Sequence, residues 1–250
     1  NFSKILIYFY VISLFLAATT RLISIGNKIQ VISIIEKIFN GITYAALFNI
    51  IINTFIHILK VFVTSFYKDE SYLTHTLPIR KNELLISKYL SSLIIIFISF
   101  LVIITSFLIM HYSENLLTSI KVVLNSIIYN LQISSLGFIL LISFLVFSQI
   151  CAIISFAFTA IIKGYSYNRR KSFKSLLWFI VFYLSTMIAT FLLIIAICAI
   201  SGNFSQLFAA VLSQKVFLLL IYIALVTYTL IAFLFFFISK KIFNKGVNVD

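Results

Sequence analysis

The 19 Lys and Arg residues of this 250-residue chain leave long stretches free of positive charge, at 5–20, 38–59, 89–120, 122–162, 175–214 and 216–239. Leu, Ile, Val and Phe dominate each of these stretches. A bilayer core about 30 Å thick is crossed by about 20 apolar residues in a helix, so most of the stretches can hold a span. Strands of a closed barrel would alternate apolar and polar residues with period two, and these runs do not alternate. The spacing therefore predicts an all-α polytopic membrane protein. Composition agrees, because 62% hydrophobic residues against 10% charged leaves too little polar surface to cover a water-soluble globule.

Two of the runs are too long for one helix, and the distribution of charge decides how many spans they hold. If 122–162 held two, the segments before Tyr89 and after Ile162 would lie on opposite sides of the membrane. Both are basic, with Lys68, Arg80, Lys81 and Lys88 in one and Lys163, Arg169, Arg170, Lys171 and Lys174 in the other. Positive-inside bias places both in the cytoplasm. The run 122–162 then holds one span, preceded by an outer interfacial helix over Leu116 to Asn130. The run 175–214 holds a span ending near Ile200, with an outer loop opening at Ser201, Gly202 and Asn203. Six spans result, at 5–22, 42–66, 89–110, 135–162, 176–200 and 216–239, with both termini cytoplasmic and the whole chain one transmembrane domain. On this count 13 of the 19 basic residues are cytoplasmic, so the net charge of +13 is a topology signal and needs no nucleic acid to explain it.

The first span begins almost at Asn1, which leads us to expect a further segment upstream and to read this span as membrane-retained rather than as a cleavable secretory signal. Cys151 and Cys198 fall inside spans and read as packing residues. The abundance of Ile, Phe, Asn and Lys over Ala, Gly and Pro fits an AT-rich bacterial genome. No phosphate-binding GxxxxGK[ST] loop and no HExxH occurs, and His57, His75 and His111 are scattered, so no metal site is expected. Glu36, Asp69, Glu70, Glu83, Glu114 and Asp250 all lie outside the apolar spans, so no catalytic residue is expected either.

Two stripes of polar or small residues stand out. Asn49, Asn53, His57, Lys60 and Thr64 share one face of the second span. They line a translocation path, with Asn49, Asn53 and His57 as its candidates, or they are interhelical hydrogen-bonding groups with Lys60 snorkelling to the surface. Ser148, Ala152, Ser155 and Thr159 form a fainter stripe that reads as a close-packing face.

The cytoplasmic link over 66–88, FYKDESYLTHTLPIRKNELLISK, holds the only proline of the chain. Pro78 suits the first turn of a helix capped by Thr76, with Glu83 in an early turn, running through Ile79 to Ser92 into the third span. The stretch from Asp69 to His75 is a short polar and aromatic piece held at the membrane by two helices, and Tyr72, Leu73 and Leu77 are apolar for a merely solvated loop.

The run Glu70, Tyr72, Leu73, Thr76, Leu77, Pro78, Arg80 and then Lys88 at the start of a span resembles the permeases of the type-2 ABC transporter family, the membrane subunits of bacterial exporters. The resemblance is sharp over this link and diffuse, by topology and length, elsewhere. It implies a coupling helix between spans 2 and 3, within a coupling segment at 67–88, that docks in a groove of a separate ABC ATPase subunit. Asp69, Glu70, Tyr72, Leu73, Thr74, Thr76, Leu77, Pro78 and Arg80 would make or adjoin that contact, and Arg80 and Lys88 would anchor the following helix. Lys88, Arg169, Arg170 and Lys171 mark the membrane boundary. ATP and Mg would be bound by the partner, leaving this chain no cofactor of its own. A second permease copy, or a related permease, would complete the assembly. The family's amphipathic N-terminal helix has no counterpart here. Leu116 to Asn130 and Gln206 to Leu212 would form part of an extracellular gate.

Few fixed charges in the spans favour a hydrophobic or amphipathic cargo, and exporters of toxin or antimicrobial peptides resemble this chain in size and composition. Readings of another class are a substrate-binding membrane subunit of an uptake system, a receptor-like membrane protein without transport, and a membrane enzyme.

Overall fold

A computed structural model describes residues 2–25, 30–68, 80–112, 118, 122–126, 133–202, 204 and 213–244. Among these residues the regular structure is helical and there is no strand. We number the six long helices α1 (Phe2–Ile25), α2 (Gln30–Tyr67), α3 (Lys81–His111), α4 (Ser135–Tyr165), α5 (Lys171–Ile200) and α6 (Gln214–Asn244). Residues 122–126 add one short helical stretch within the segment where an outer interfacial helix was expected. All six long helices are apolar and long enough to cross a membrane, which makes the chain a multi-pass membrane protein.

Each expected span lies inside one helix, and the helices overrun the spans. The difference is largest in α2, which starts at Gln30 rather than near residue 42. Its 38 residues extend about 57 Å at ~1.5 Å per residue, well beyond a hydrocarbon core of ~30 Å. The overrun of α2 is itself mostly apolar over 31–39, with Val31, Ile32, Ile34, Ile35, Ile38 and Phe39, and it falls outside the expected span because Glu36 and Lys37 interrupt it, whereas backbone hydrogen bonding continues past such charges. Glu36 and Glu83 accordingly sit within helices, but in the overrun turns of α2 and α3.

Local chemistry sets several helix ends. The Arg80 carbonyl accepts from the Glu83 N–H at 2.9 Å and the Leu84 N–H at 3.3 Å, so α3 opens at Lys81 with Glu83 against the positive end of its dipole. The start expected here, with Thr76 as cap and Pro78 in the first turn, lies outside the described residues. Ser134 caps α4, its side chain accepting from the Gly137 N–H at 3.1 Å. A turn at 166–170 joins α4 to α5, with Arg170 in the left-handed region at φ 54°. Beyond Ile200 the Ser201 N–H bonds to the Ile197 carbonyl at 2.9 Å, and Gly202 follows at φ 70°. That left-handed glycine ends α5 where the outer loop was expected to open.

The chain divides into two compact units, Asn1–Phe62 with Leu90–Lys121, and Val63–Tyr89 with Val122–Asp250. In the first, hydroxyl groups join the helices. Tyr10 of α1 and Thr54 of α2 both meet Ser99 of α3, at 2.5 and 2.8 Å, and Thr20 of α1 meets Thr43 of α2 at 2.8 Å. Lipid competes poorly for such groups, so each bond contributes about 0.6 kcal/mol to helix association. In the second unit α4 packs mainly on α6 and α5. Ser148, Ala152, Ser155 and Thr159 are all buried, which is the close-packing role expected of that stripe.

Candidate functional site at the ends of alpha2 and alpha3

The link 69–79 is carried by the last turn of α2 and the first turns of α3, and both belong to the second unit. Here the chain builds a dense buried cluster. Phe66, one residue before the end of α2, is fully buried and meets Phe243 of α6 edge to face with ring centroids 4.9 Å apart. Tyr67, the last residue of α2, lies against Tyr165 of α4 at 4.5 Å. Edge-to-face aromatic pairs of this kind contribute about 0.5–1.5 kcal/mol beyond their burial.

Tyr89 of α3 is the centre of the cluster. Its ring packs edge to face on Phe158 of α4 at 4.8 Å and on Phe236 of α6 at 5.2 Å. Its hydroxyl donates to the Ser155 carbonyl at 3.4 Å and lies 3.3 Å from the Ser239 hydroxyl. Ser239 in turn lies 2.6 Å from the Thr159 hydroxyl, which is also within 2.7 Å of the Ser155 carbonyl and 3.0 Å of the Phe235 carbonyl. Thr159 and Ser239 are wholly buried. One hydroxyl network therefore ties α3 to α4 and α6. Beside it, the Lys88 ammonium donates to the Ser65 hydroxyl at 2.8 Å, clasping the start of α3 to the end of α2.

Among the described residues no group of three His, Cys, Asp or Glu side chains could hold a metal ion. The cluster forms a packed joint, in which the end of α2 and the start of α3 are both held against α4 and α6.

The sequence-derived site residues fall in different places. Arg80 is exposed and supplies the carbonyl that opens α3, whereas Asp69, Glu70, Tyr72, Leu73, Thr74, Thr76, Leu77 and Pro78 lie outside the described residues. Lys88 is engaged with Ser65. Arg169 and Arg170 are exposed in the α4–α5 turn, and Lys171 opens α5. Close by, the Lys163 ammonium sits 3.3 Å from the centre of the Trp178 ring, a cation–π contact across the same hairpin.

The polar stripe of α2 does not behave as one surface. The Asn53 amide donates to the Asn49 side chain at 2.6 Å and to its carbonyl at 2.9 Å, with Asn49 exposed. His57 is instead buried within the first unit, and its Nδ1 has no hydrogen-bond partner among the described residues. Of the joint, sequence reasoning had singled out Ser155, Thr159 and Lys88 but not Tyr89, Phe66, Phe158, Ser239 or Phe243. Aromatic and hydroxyl residues are so common in these helices that position alone does not mark them.

A second feature of this unit is a cleft of about 80 Å³ between α4, α5 and α6. Gln149, Tyr183, Thr186, Thr190 and Tyr228 line it together with Phe156.

Compared with known proteins, the chain matches no family model, and no curated protein or solved structure is significantly similar to it.

Proposed function

We propose that this chain is the permease subunit of a type-2 ABC exporter in a bacterial plasma membrane, with both termini cytoplasmic. A separate ATPase subunit binds ATP and Mg, and a second permease, identical or related, completes the assembly. The observation that carries this reading is the likeness of Glu70, Tyr72, Leu73, Thr76, Leu77, Pro78, Arg80 and Lys88 to the coupling stretch of those permeases. The six long apolar helices and the packed joint on either side of 69–79 support it.

In this mechanism the ATPases close on ATP and displace the coupling segments. Phe66, Tyr67 and Tyr89 pass the displacement to α4 and α6, and a two-state bundle exchanges the side on which its path is open. The cargo is hydrophobic or amphipathic, with an exported peptide as the best match to spans that carry few fixed charges.

The test is purification of the chain from its native membrane and reconstitution with the P-loop ATPase that accompanies it. Glu70→Lys or Leu73→Trp should leave insertion and basal ATP hydrolysis intact while abolishing the coupling of hydrolysis to transport. Unchanged coupling in both variants, or purification of the native complex without any ATPase, would overturn the proposal.

A further inference from the structure

The cleft between α4, α5 and α6 lies at mid-depth of the spans. Gln149 is near the middle of α4, Tyr183 and Thr186 near the middle of α5, and Tyr228 near the middle of α6. Polar groups at that depth are costly unless they find partners. The Gln149 amide and the Tyr183 and Tyr228 hydroxyls make no hydrogen bond among the described residues. Thr186 and Thr190 donate to carbonyls of their own helix, at 2.8 and 2.9 Å, and keep acceptor lone pairs free. The cleft therefore presents both donors and acceptors, and its lining includes no Lys, Arg, Asp or Glu.

We propose that this cleft is a binding site for the uncharged, amide-bearing part of an amphipathic molecule that enters sideways from the bilayer. A carboxylamide and two phenols match the alternating donors and acceptors of a peptide backbone, and no counter-charge is on hand for an ion. Gln149, Tyr183 and Met187 are exposed at its mouth, so the approach is from the lipid side, and Phe156 gives an apolar wall for the rest of the molecule. Water confined here would satisfy the polar groups but leave that wall unfilled. The proposal requires only that the chain spans a bilayer. It goes beyond the permease reading and does not depend on the ATPase.

The test uses the full chain in lipid nanodiscs and an N-dodecanoyl dipeptide amide carrying a photoreactive leucine. The native protein should be labelled within α4, α5 or α6 at the cleft residues. Labelling should fall by about fivefold or more in Gln149→Leu combined with Tyr228→Phe, the loss expected for one or two hydrogen bonds. Gln149→Asn should retain most of it, and an unlabelled dodecanoyl dipeptide amide should compete where dodecane does not. Helix content and elution volume check that each variant is folded. Equal labelling of native and doubly substituted protein, or equal competition by dodecane, would show a site for lipid chains and overturn the proposal. So would copies cross-linked through Met187→Cys, which leaves the hydrogen-bonding groups in place, with labelling lost only in the cross-linked fraction, since a second copy would then fill the cleft. A failed labelling experiment leaves the permease reading standing, and a failed ATPase co-purification leaves this site standing.

Discussion

A methyl group added at Gly164 would overlap the backbone and hydroxyl of Ser175, because α4 and α5 touch there almost backbone to backbone. Ser175 is itself buried. Glycine at 164 is thus a packing requirement of the hairpin, and Gly164→Ala should cost about 1–3 kcal/mol by overpacking. Thermal unfolding in detergent, followed by circular dichroism, should show a midpoint lower by several degrees; an unchanged midpoint would mean the two helices do not approach so closely. Tyr89 separates two contributions in the same assay. Tyr89→Phe keeps the ring against Phe158 and Phe236 and loses the bonds to Ser155 and Ser239, about 1 kcal/mol in total. Tyr89→Ala also opens a cavity, so about 3–5 kcal/mol is expected. Equal losses in the two variants would show that the hydroxyl network, not the aromatic packing, holds α3 in place. The two cysteines differ as well. Cys198 is fully buried and Cys151 half-buried, so a membrane-permeant maleimide should modify Cys151 first.

Between helices, the property that matters for the proposed mechanism is whether the end of α2 moves as one piece with α6. Phe66 and Phe243 belong to different helices and share one edge-to-face contact. Each substitution to Ala should destabilise the protein, and the double variant should lose less than the sum of the two by about 0.5–1.5 kcal/mol. Strict additivity in unfolding measurements would mean that the two ends are independent and that displacement at 69–79 is not passed on through this contact. The helices were legible in the sequence to a useful degree. Six spans were expected at positions that six helices now contain, and Ser148, Ala152, Ser155 and Thr159 were correctly read as a packing face. Helix ends were legible only where a local signal marks them, as at Ser201 and Gly202. The early start of α2 at Gln30 was missed because Glu36 and Lys37 interrupt an apolar run that Val31, Ile32, Ile34, Ile35, Ile38 and Phe39 otherwise continue upstream, and a span was expected only where charge is absent.

For the molecule as a whole, the proposed orientation makes a direct prediction. Ser166 follows α4 and Ser201 follows α5, both are exposed, and one span separates them. In a background with Cys151→Ser and Cys198→Ser, an impermeant maleimide added to intact cells should label Ser201→Cys and spare Ser166→Cys. The reverse pattern would place the basic α4–α5 turn outside and sink the proposed topology.

The sequence by itself determined that the chain crosses a membrane, and where the centres of its spans lie. That is so because transfer of a helix into lipid is a sum over its own residues, with no neighbour needed. Tertiary structure alone decided which polar groups meet. Tyr89 finds Ser155 and Ser239, 66 and 150 residues away in the chain, whereas Asn49 and Asn53 satisfy each other on one helix and His57 of the same stripe is buried apart from them. Periodicity puts side chains on a common face, but burial depends on which helix is packed against that face at each turn. The joint beside the link and the cleft at mid-membrane both arise from that packing.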